Sequence, residues 1–177
     1  WGRFRDISYP VLGNHDTGRA PGYFQFFGPR VGTPERAFYS YDVGAWHLIA
    51  LDTNYENCNE VTGVDCGLAA VQLRWLRADL AAHRNRCVLA YFHYPRFSSG
   101  FHGDNTRVQP LWEALYAARA DVVLNGHDHE YERFAPQDPL GRADPNGLRE
   151  FVVGTGGENL RLFHELRANS EVRRNDT

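Results

Sequence analysis

Three short apolar runs in this 177-residue chain each end in residues that can hold a metal ion. Tyr9-Pro10-Val11-Leu12 leads into Gly13-Asn14-His15-Asp16, and residues 87–92 lead into His93-Tyr94-Pro95. Val122-Val123-Leu124 leads into Asn125-Gly126-His127-Asp128-His129. If each run is a strand of one open α/β sheet, the strand ends meet along a single edge, where ligands bind. Asn14, His15, His93, His127 and His129 would then share a cleft. An extended backbone sends residues two apart to the same side, so His127 and His129 are expected to face the cleft while Asp128 turns away. Such a pair can hold one metal or straddle two. Gly13 and Gly126 would allow the tight exits ahead of Asn14 and His127.

Charge sets a second expectation. Asn14, His93 and His127 offer only neutral donors, so a divalent cation among them would keep its full charge. Hydrolytic metal centres add carboxylates, above all where two metals share a bridge. Asp16 lies just past His15 and Asp128 is expected to face away, so the anionic ligands are expected upstream of Trp1. The chain contains no Met, and Trp1 is accordingly read as a cut or processed end.

The elements that must position these groups alternate between strand and helix. Residues 37–43 and 45–51 read as two strands of a hairpin around Gly44. Leu73, Leu76 and Leu80, preceded by Ala69, recur at helical spacing over 68–83, with Arg74, Arg77 and Asp79 off that stripe. Leu111, Leu115 and Ala118 repeat the pattern over 108–119. Residues 87–92 form a continuous apolar run, as in a strand buried on both faces, with Cys87 a buried thiol. Residues 121–124 and Phe151-Val152-Val153 read as further short strands, and the segments after Glu130 make the sheet mixed. The expectation is a layered α/β fold. No linker or repeat divides the chain, so residues 1–177 are read as one domain. The strand 151–153 and its Gly-rich sequel at 154–157, read as a turn, call for more sheet beyond.

Composition removes other classes. Hydrophobic residues make up 42% and charged residues 23%, which excludes disorder and a collagen-like chain. The net charge of −3 gives no surface for nucleic acid. No apolar run approaches the ~18 residues of a membrane span. All 19 strong cations are Arg, and only Arg173-Arg174 are adjacent, near a C-terminal tail read as solvated. Cys58 and Cys66 flank a short polar loop and are expected to pair, which favours an oxidising, secreted or extracytoplasmic setting. Of the other histidines, His47 reads as a satisfied sheet residue and His83 as a cation suited to the last turn of the first long helix. His164 has no motif around it, and Trp46, Trp75 and Trp112 read as packing residues.

Gly13-Asn14-His15-Asp16, His93-Tyr94-Pro95 and Gly126-His127-Asp128-His129 together resemble the later motifs of calcineurin-like metallophosphoesterases. Gly126 to Arg133 (Gly-His-Asp-His-Glu-Tyr-Glu-Arg) and Ser98-Ser99-Gly100-Phe101-His102-Gly103 are more similar to the purple acid phosphatase branch. The resemblance covers nearly the whole chain. It implies a sandwich of mixed β-sheets flanked by helices, here incomplete at the N-terminus and toward the C-terminus. It also implies a secreted, acid phosphatase-type hydrolase with a dinuclear centre of Fe, Zn or Mn. Asn14, His93 and His127 would bind one metal and His129 the other. His15 would contact phosphate and protonate the leaving alkoxide, and His102 would bind substrate on the leaving-group side. The family pattern opens with Asp-x-His or Asp-x-Gly and then Gly-Asp, and neither precedes Gly13. The isolated piece is therefore expected to be inactive.

The expected reaction is hydrolysis of a small phosphomonoester through two metals ~3.5–4 Å apart. One alternative keeps the fold and takes a phosphodiester or a nucleotide. Another is a non-catalytic metal-binding module, favoured if the upstream carboxylates are missing from the full reading frame. Metal identity, a Tyr ligand of the purple type and the oligomeric state are left open by these residues.

Overall fold

The computed structural model describes residues 2–16, 20–54, 71–84 and 86–176. Seven strands form one mixed sheet in the order β1-β2-β3-β4-β6-β5-β7. They are β1 Tyr39–Val43, β2 Trp46–Ala50, β3 Cys87–Tyr91, β4 Val122–Asn125, β5 Tyr131–Phe134, β6 Arg149–Val153 and β7 Ser170–Arg174. The helices are α1 Pro21–Phe27, α2 Leu73–Ala82 and α3 Gln109–Ala117. Strands β2, β3, β4 and β6 run parallel, so their carboxyl ends share one edge, while β1, β5 and β7 pair antiparallel.

Alternation along the strands makes the core. In register, Ile49, Ala90 and Val123 lie side by side on one face with Glu150, all fully buried. Leu76 and Leu80 of α2 and Leu111, Trp112 and Leu115 of α3 pack onto that face. Each such side chain contributes about 1.5–3 kcal/mol by leaving water. The opposite face carries Leu48, Leu89, Leu124 and Phe151, which are only half-buried. The expected α/β layering and the hairpin around Gly44 are present, Gly44 supplying the left-handed turn at φ 59°.

Several expectations change. Tyr9-Pro10-Val11-Leu12 forms no strand. Pro10 has no N–H to give a ladder, and its carbonyl accepts hydroxyl donors from Tyr23 at 2.8 Å and Tyr39 at 2.6 Å. Cys87 is exposed, because it is the first residue of β3 and its register partner Trp46 stands at the equally open start of β2. The run 87–92 is buried on one face and half-buried on the other. Arg173 and Arg174 lie in β7, opposite Glu132 and Tyr131. Ala118 falls past the end of α3 and is exposed; Ala114 takes the buried place on that stripe. Trp46 is exposed, whereas Trp112 is fully buried and Trp75 packs against Phe38. Asp79, expected on the open side of α2, turns toward the sheet and meets His47 Nε2 at 2.7 Å. His47 is buried with its Nδ1 2.8 Å from Asp42, as a satisfied sheet residue would be, and its ring stacks on His83. Cys58 and Cys66 lie outside the described residues. No described helix is long and apolar enough to cross a membrane.

Candidate metal centre

The end of β2 builds the first part of the site. Asn54, buried just past β2, donates from Nδ2 to the carbonyls of Gly13 at 2.9 Å and Asp16 at 3.0 Å. Asp16 closes the same turn by accepting from Gly13 N–H at 2.8 Å. Asp52 is held in turn by Gln72 of the α2 approach, which bonds both its N–H and its carbonyl. Burial and the nearby Asp16 raise the Asp52 carboxyl to about 6, against the pull of the Asn54 N–H. The loop carrying Asn14 is thus clamped to the sheet edge although no strand leads into it.

His93 and His127 arrive on the ends of β3 and β4. The ladder continues past the strands, with Phe92 N–H donating to Leu124 O and Gly126 N–H to His93 O. Asn125 Nδ2 adds a bond to Phe92 O at 2.8 Å. His127 has φ 66°, the left-handed region, where a residue with a Cβ is disfavoured by about 1–2 kcal/mol. The tight turn therefore falls on His127 itself and not on Gly126. The extended alternation expected for His127 and His129 does not hold, and Asp128 bonds His102, whose ring lies 4.1 Å from that of His127. Gly13 serves close approach: a Cβ there would meet His93 Cε1 and Nδ1 at 3.0 Å.

Three donor atoms converge as a result. Asn14 Oδ1 lies 2.7 Å from His93 Nε2 and 3.3 Å from His127 Nδ1, and the two nitrogens are 3.1 Å apart. A triangle with those edges has a circumradius of about 1.8 Å, shorter than metal–nitrogen bonds of ~2.0–2.1 Å. One cation can therefore touch all three atoms from just above their plane. Burial, reinforced by neighbouring histidines and opposed by nearby carboxylates, lowers both rings to about 4. They are neutral near pH 7, the form that ligates metal. The donor set fits a divalent or trivalent ion.

Of the remaining residues, His15 is exposed on the turn beside Asn14, near enough that its charge depresses His93. His129 lies outside the triangle, close enough to act electrostatically on both rings, and its buried Nδ1 has no hydrogen-bond partner. His102 comes to the centre from another loop, its ring 4.1 Å from that of His127. Asp128, fully buried, fixes it by accepting from His102 N–H at 3.0 Å and from Nδ1 at 2.7 Å, while its second oxygen accepts from Ser98 Oγ. Among the described residues no carboxylate joins His93 and His127.

The sequence matches a known family. The calcineurin-like phosphoesterase signature matches residues 3–131. The chain belongs to the calcineurin-like phosphoesterases. Membership in this family, with purple acid phosphatases as relatives, implies bound divalent or trivalent metal. The chain is 31% identical over 137 residues to purple acid phosphatase 18 of Arabidopsis thaliana, covering 71% of this chain and 28% of that protein. It is 32% identical over 109 residues to human tartrate-resistant acid phosphatase type 5, covering 51% of this chain and 34% of that protein. The fold of the purple acid phosphatase PPD1 from yellow lupin seeds superposes with a TM-score of 0.71 at 20% identity, over 93% of this chain and 31% of that one. The chain thus spans about a third or less of the length of these proteins.

Sequence reading missed the residues that hold the loops. Asn54, Asp52 and Gln72 carry no motif, and their role depends on β2 and α2 meeting in space. The loop after His93 rests on buried acids: Glu150 accepts from Arg96 N–H at 2.8 Å and Phe97 N–H at 3.2 Å, and Glu132 from Ser99 N–H at 2.8 Å. The one available signal was the density of acids at 128, 130 and 132 between the apolar run 122–124 and Phe134. Gly154, read as a turn residue, is a point of close approach, since a Cβ there would lie 1.8 Å from the Asp128 carbonyl oxygen.

Proposed function

We propose that residues 1–177 form one metallophosphoesterase domain carrying the imidazole and amide ligands of a two-metal centre that hydrolyses small phosphomonoesters. Asn14, His93 and His127 hold one metal, and His129, with its unpaired buried nitrogen, contributes to the second. Bound there, the metals supply Lewis acidity toward the phosphoryl oxygens and lower the pKa of the attacking water. His15, exposed beside the triangle, contacts the phosphate and gives a proton to the leaving alkoxide. His102 binds substrate on the leaving-group side, where Asp128 fixes its Nδ1–H and turns Nε2 outward. The single observation that carries this reading is the triangle of Asn14, His93 and His127 donor atoms, 2.7–3.3 Å apart. The donor set serves Zn, Fe and Mn alike. A secreted or extracytoplasmic setting is part of the proposal and rests on the expected pairing of Cys58 with Cys66.

The test is p-nitrophenyl phosphate hydrolysis by the product of the complete reading frame with added Mn, Zn or Fe, beside a His127→Ala variant. Loss of metal-dependent turnover in the variant is expected, and unchanged turnover overturns the proposal. Bis-p-nitrophenyl phosphate in the same assay separates a phosphodiesterase from a phosphomonoesterase. The fold alone does not decide for catalysis. A structure titled GAP50, the anchor in the inner membrane complex of Plasmodium, shares it at a TM-score of 0.60 and 16% identity. Metal binding without turnover by the complete product would favour that non-catalytic reading.

A further inference from the structure

The amino end of β2 gathers titratable side chains that the phosphatase reading does not use. Asp42 and His47 are register partners beside the Gly44 turn, and His83 caps the carboxyl end of α2. One ligating atom from each of Asp42, His47 and His83 lies within 4.8 Å of the other two. Strand β2 runs parallel to β3, so this cluster stands on the sheet edge opposite the one that carries His93. Asp79 fixes both rings from behind: its Oδ2 is 2.7 Å from His47 Nε2, and its carbonyl oxygen is 2.8 Å from His83 Nδ1. Ser40 Oγ donates to Asp79 Oδ1 at 3.0 Å and holds that carboxylate in place. With those two ring N–H groups given to Asp79, His47 keeps Nδ1 and His83 keeps Nε2 as lone-pair donors. An oxygen placed behind an imidazole in this way is the usual device for presenting its other nitrogen to a metal. The His47 hydrogen bond, and then the charge of Arg86, hold the Asp42 carboxyl below its ordinary range, so it is ionised near pH 7. Arg86 Nη2 takes Asp42 Oδ2 at 3.3 Å and leaves Oδ1 to His47 Nδ1, 2.8 Å away.

We propose that Asp42, His47 and His83 form a second site for a divalent transition metal, Zn by its donor set, which pins the β1–β2 hairpin to the end of α2. The inference does not rest on the phosphatase reading. Two lone-pair atoms cannot stand as close as His47 Nδ1 and Asp42 Oδ1 without a cation between them. A proton serves only two of the three donors, whereas a metal serves all three. Two imidazoles, one carboxylate and a position open to water make a four-coordinate shell of the kind Zn takes. Ligands at ~2.0–2.1 Å from Zn stand ~3.3 Å apart around a tetrahedron, so the longest separation has to close by no more than about 1.5 Å. His83 supplies that movement: its side chain is 31% exposed and stacks on the buried His47 ring at 3.7 Å, free to tilt toward Asp42. Charge favours the ion as well. Asp42 and Asp79 together match a divalent cation, and the unpaired carbonyls at the end of α2 add negative potential beside His83.

The test titrates Zn into the metal-free complete protein, as wild type and as His83→Ala and Asp42→Asn variants, by calorimetry with elemental analysis after dialysis. Both replaced side chains reach solvent, so the variants keep the fold. Wild type should bind one Zn that either variant binds more than about 100-fold more weakly, since losing even an outer partner of a ligand costs 10- to 100-fold. Zn should also raise the melting temperature of wild type further than that of His83→Ala. In long-range proton–nitrogen spectra of wild type, the ring nitrogens of His47 and His83 should shift on Zn addition. Equal Zn count and affinity in wild type and both variants overturns the site, as do ring signals of His47 and His83 that ignore Zn. Hydrolysis of p-nitrophenyl phosphate should be the same in His83→Ala as in wild type. Failure of the phosphatase reading looks different: wild type then lacks turnover, and the loss of one Zn in His83→Ala stands unaffected. The His83→Ala background also frees Zn titrations of the triangle from this second site.

Discussion

His127 joins a strained backbone to a ring proposed as a metal ligand, and two substitutions at that position separate the two contributions. At φ 66° an L-residue is penalised by about 1–2 kcal/mol, a cost that His and Ala share and Gly escapes. Gly brings a more flexible unfolded chain, which offsets about 0.4–1 kcal/mol of that gain. His127→Gly should therefore be more stable than His127→Ala by about 0.5–1 kcal/mol. In a chain of this length that is a separation of about 1–4 °C in melting temperature. Both variants remove the ring that packs 4.4 Å from Tyr94 and 4.1 Å from His102, so the comparison between them isolates the backbone. Both also remove one of three donors. Deleting an outer-sphere partner of a metal ligand costs 10- to 100-fold in affinity, so deleting the ligand should cost more than about 100-fold. Thermal melts of the metal-free proteins and calorimetric titration with Zn measure the two effects. Identical melting of the Ala and Gly variants would refute the left-handed assignment. Retained Zn affinity in either variant would refute the triangle.

Three further outcomes follow from the same geometry. Gly13→Ala should lower Zn affinity about 10-fold while costing less than about 1 kcal/mol of stability, because the added methyl meets the His93 ring at 3.0 Å and pushes it off the triangle; unchanged affinity by titration contradicts this. His93 and His127 titrate near 4 in the folded chain and near 6.5 when unfolded, so the unfolded state binds more protons between those values. Stability of the metal-free protein should fall as pH drops through that window, while Zn affinity should hold to about pH 5 before protons compete; a marked loss of affinity between pH 7 and 6 is the contrary result. Glu130, raised to about 8 by burial and by the charges of Glu132 and Asp128, has the opposite sign. Its neutral form is favoured in the fold, so stability should decline as pH rises from about 4.5 toward 8. Glu130→Gln should flatten that decline by at least about 1.4 kcal/mol in chemical denaturation, and an equally steep decline in the variant would exclude Glu130 as its source.

The parts of this structure legible from sequence are those written in local pattern. Alternation and short apolar runs located β2, β3, β4 and β6, and helical spacing located α2 and α3, because each buries a face whose period is fixed by its own backbone. His93 and His127 could be placed for the same reason, since each follows the carboxyl end of a parallel strand. Asn14 was named on a wrong premise: no strand delivers it, and Asn54 from the end of β2 does. A side chain that bridges residues some forty positions apart leaves no periodic trace. The left-handed turn at His127 was equally hidden, because Gly126 beside it offered the cheaper candidate. Strands β5 and β7 were not delimited, since Tyr131–Phe134 carries as many charged as apolar residues and Ser170–Arg174 carries more. Their burial depends on pairing with each other and with β6.

The disposition of charge connects these misses to function. Four carboxylates of the surrounding loops are engaged by neighbouring groups: Asp16 by the Gly13 N–H, Asp128 by Ser98 and His102, Glu132 and Glu150 by the amides of loop 96–99. They hold the loops, while the groups gathered at the centre are the Asn14 amide and the imidazoles of His15, His93, His102, His127 and His129. In the proposed centre a phosphate dianion would meet these donors and the metals they hold. Moving one of those acids forward into the triangle would tighten a metal and repel the substrate at once. The acids therefore act through the N–H groups they accept from, Asp128 fixing His102 and Asp16 fixing the turn of Asn14.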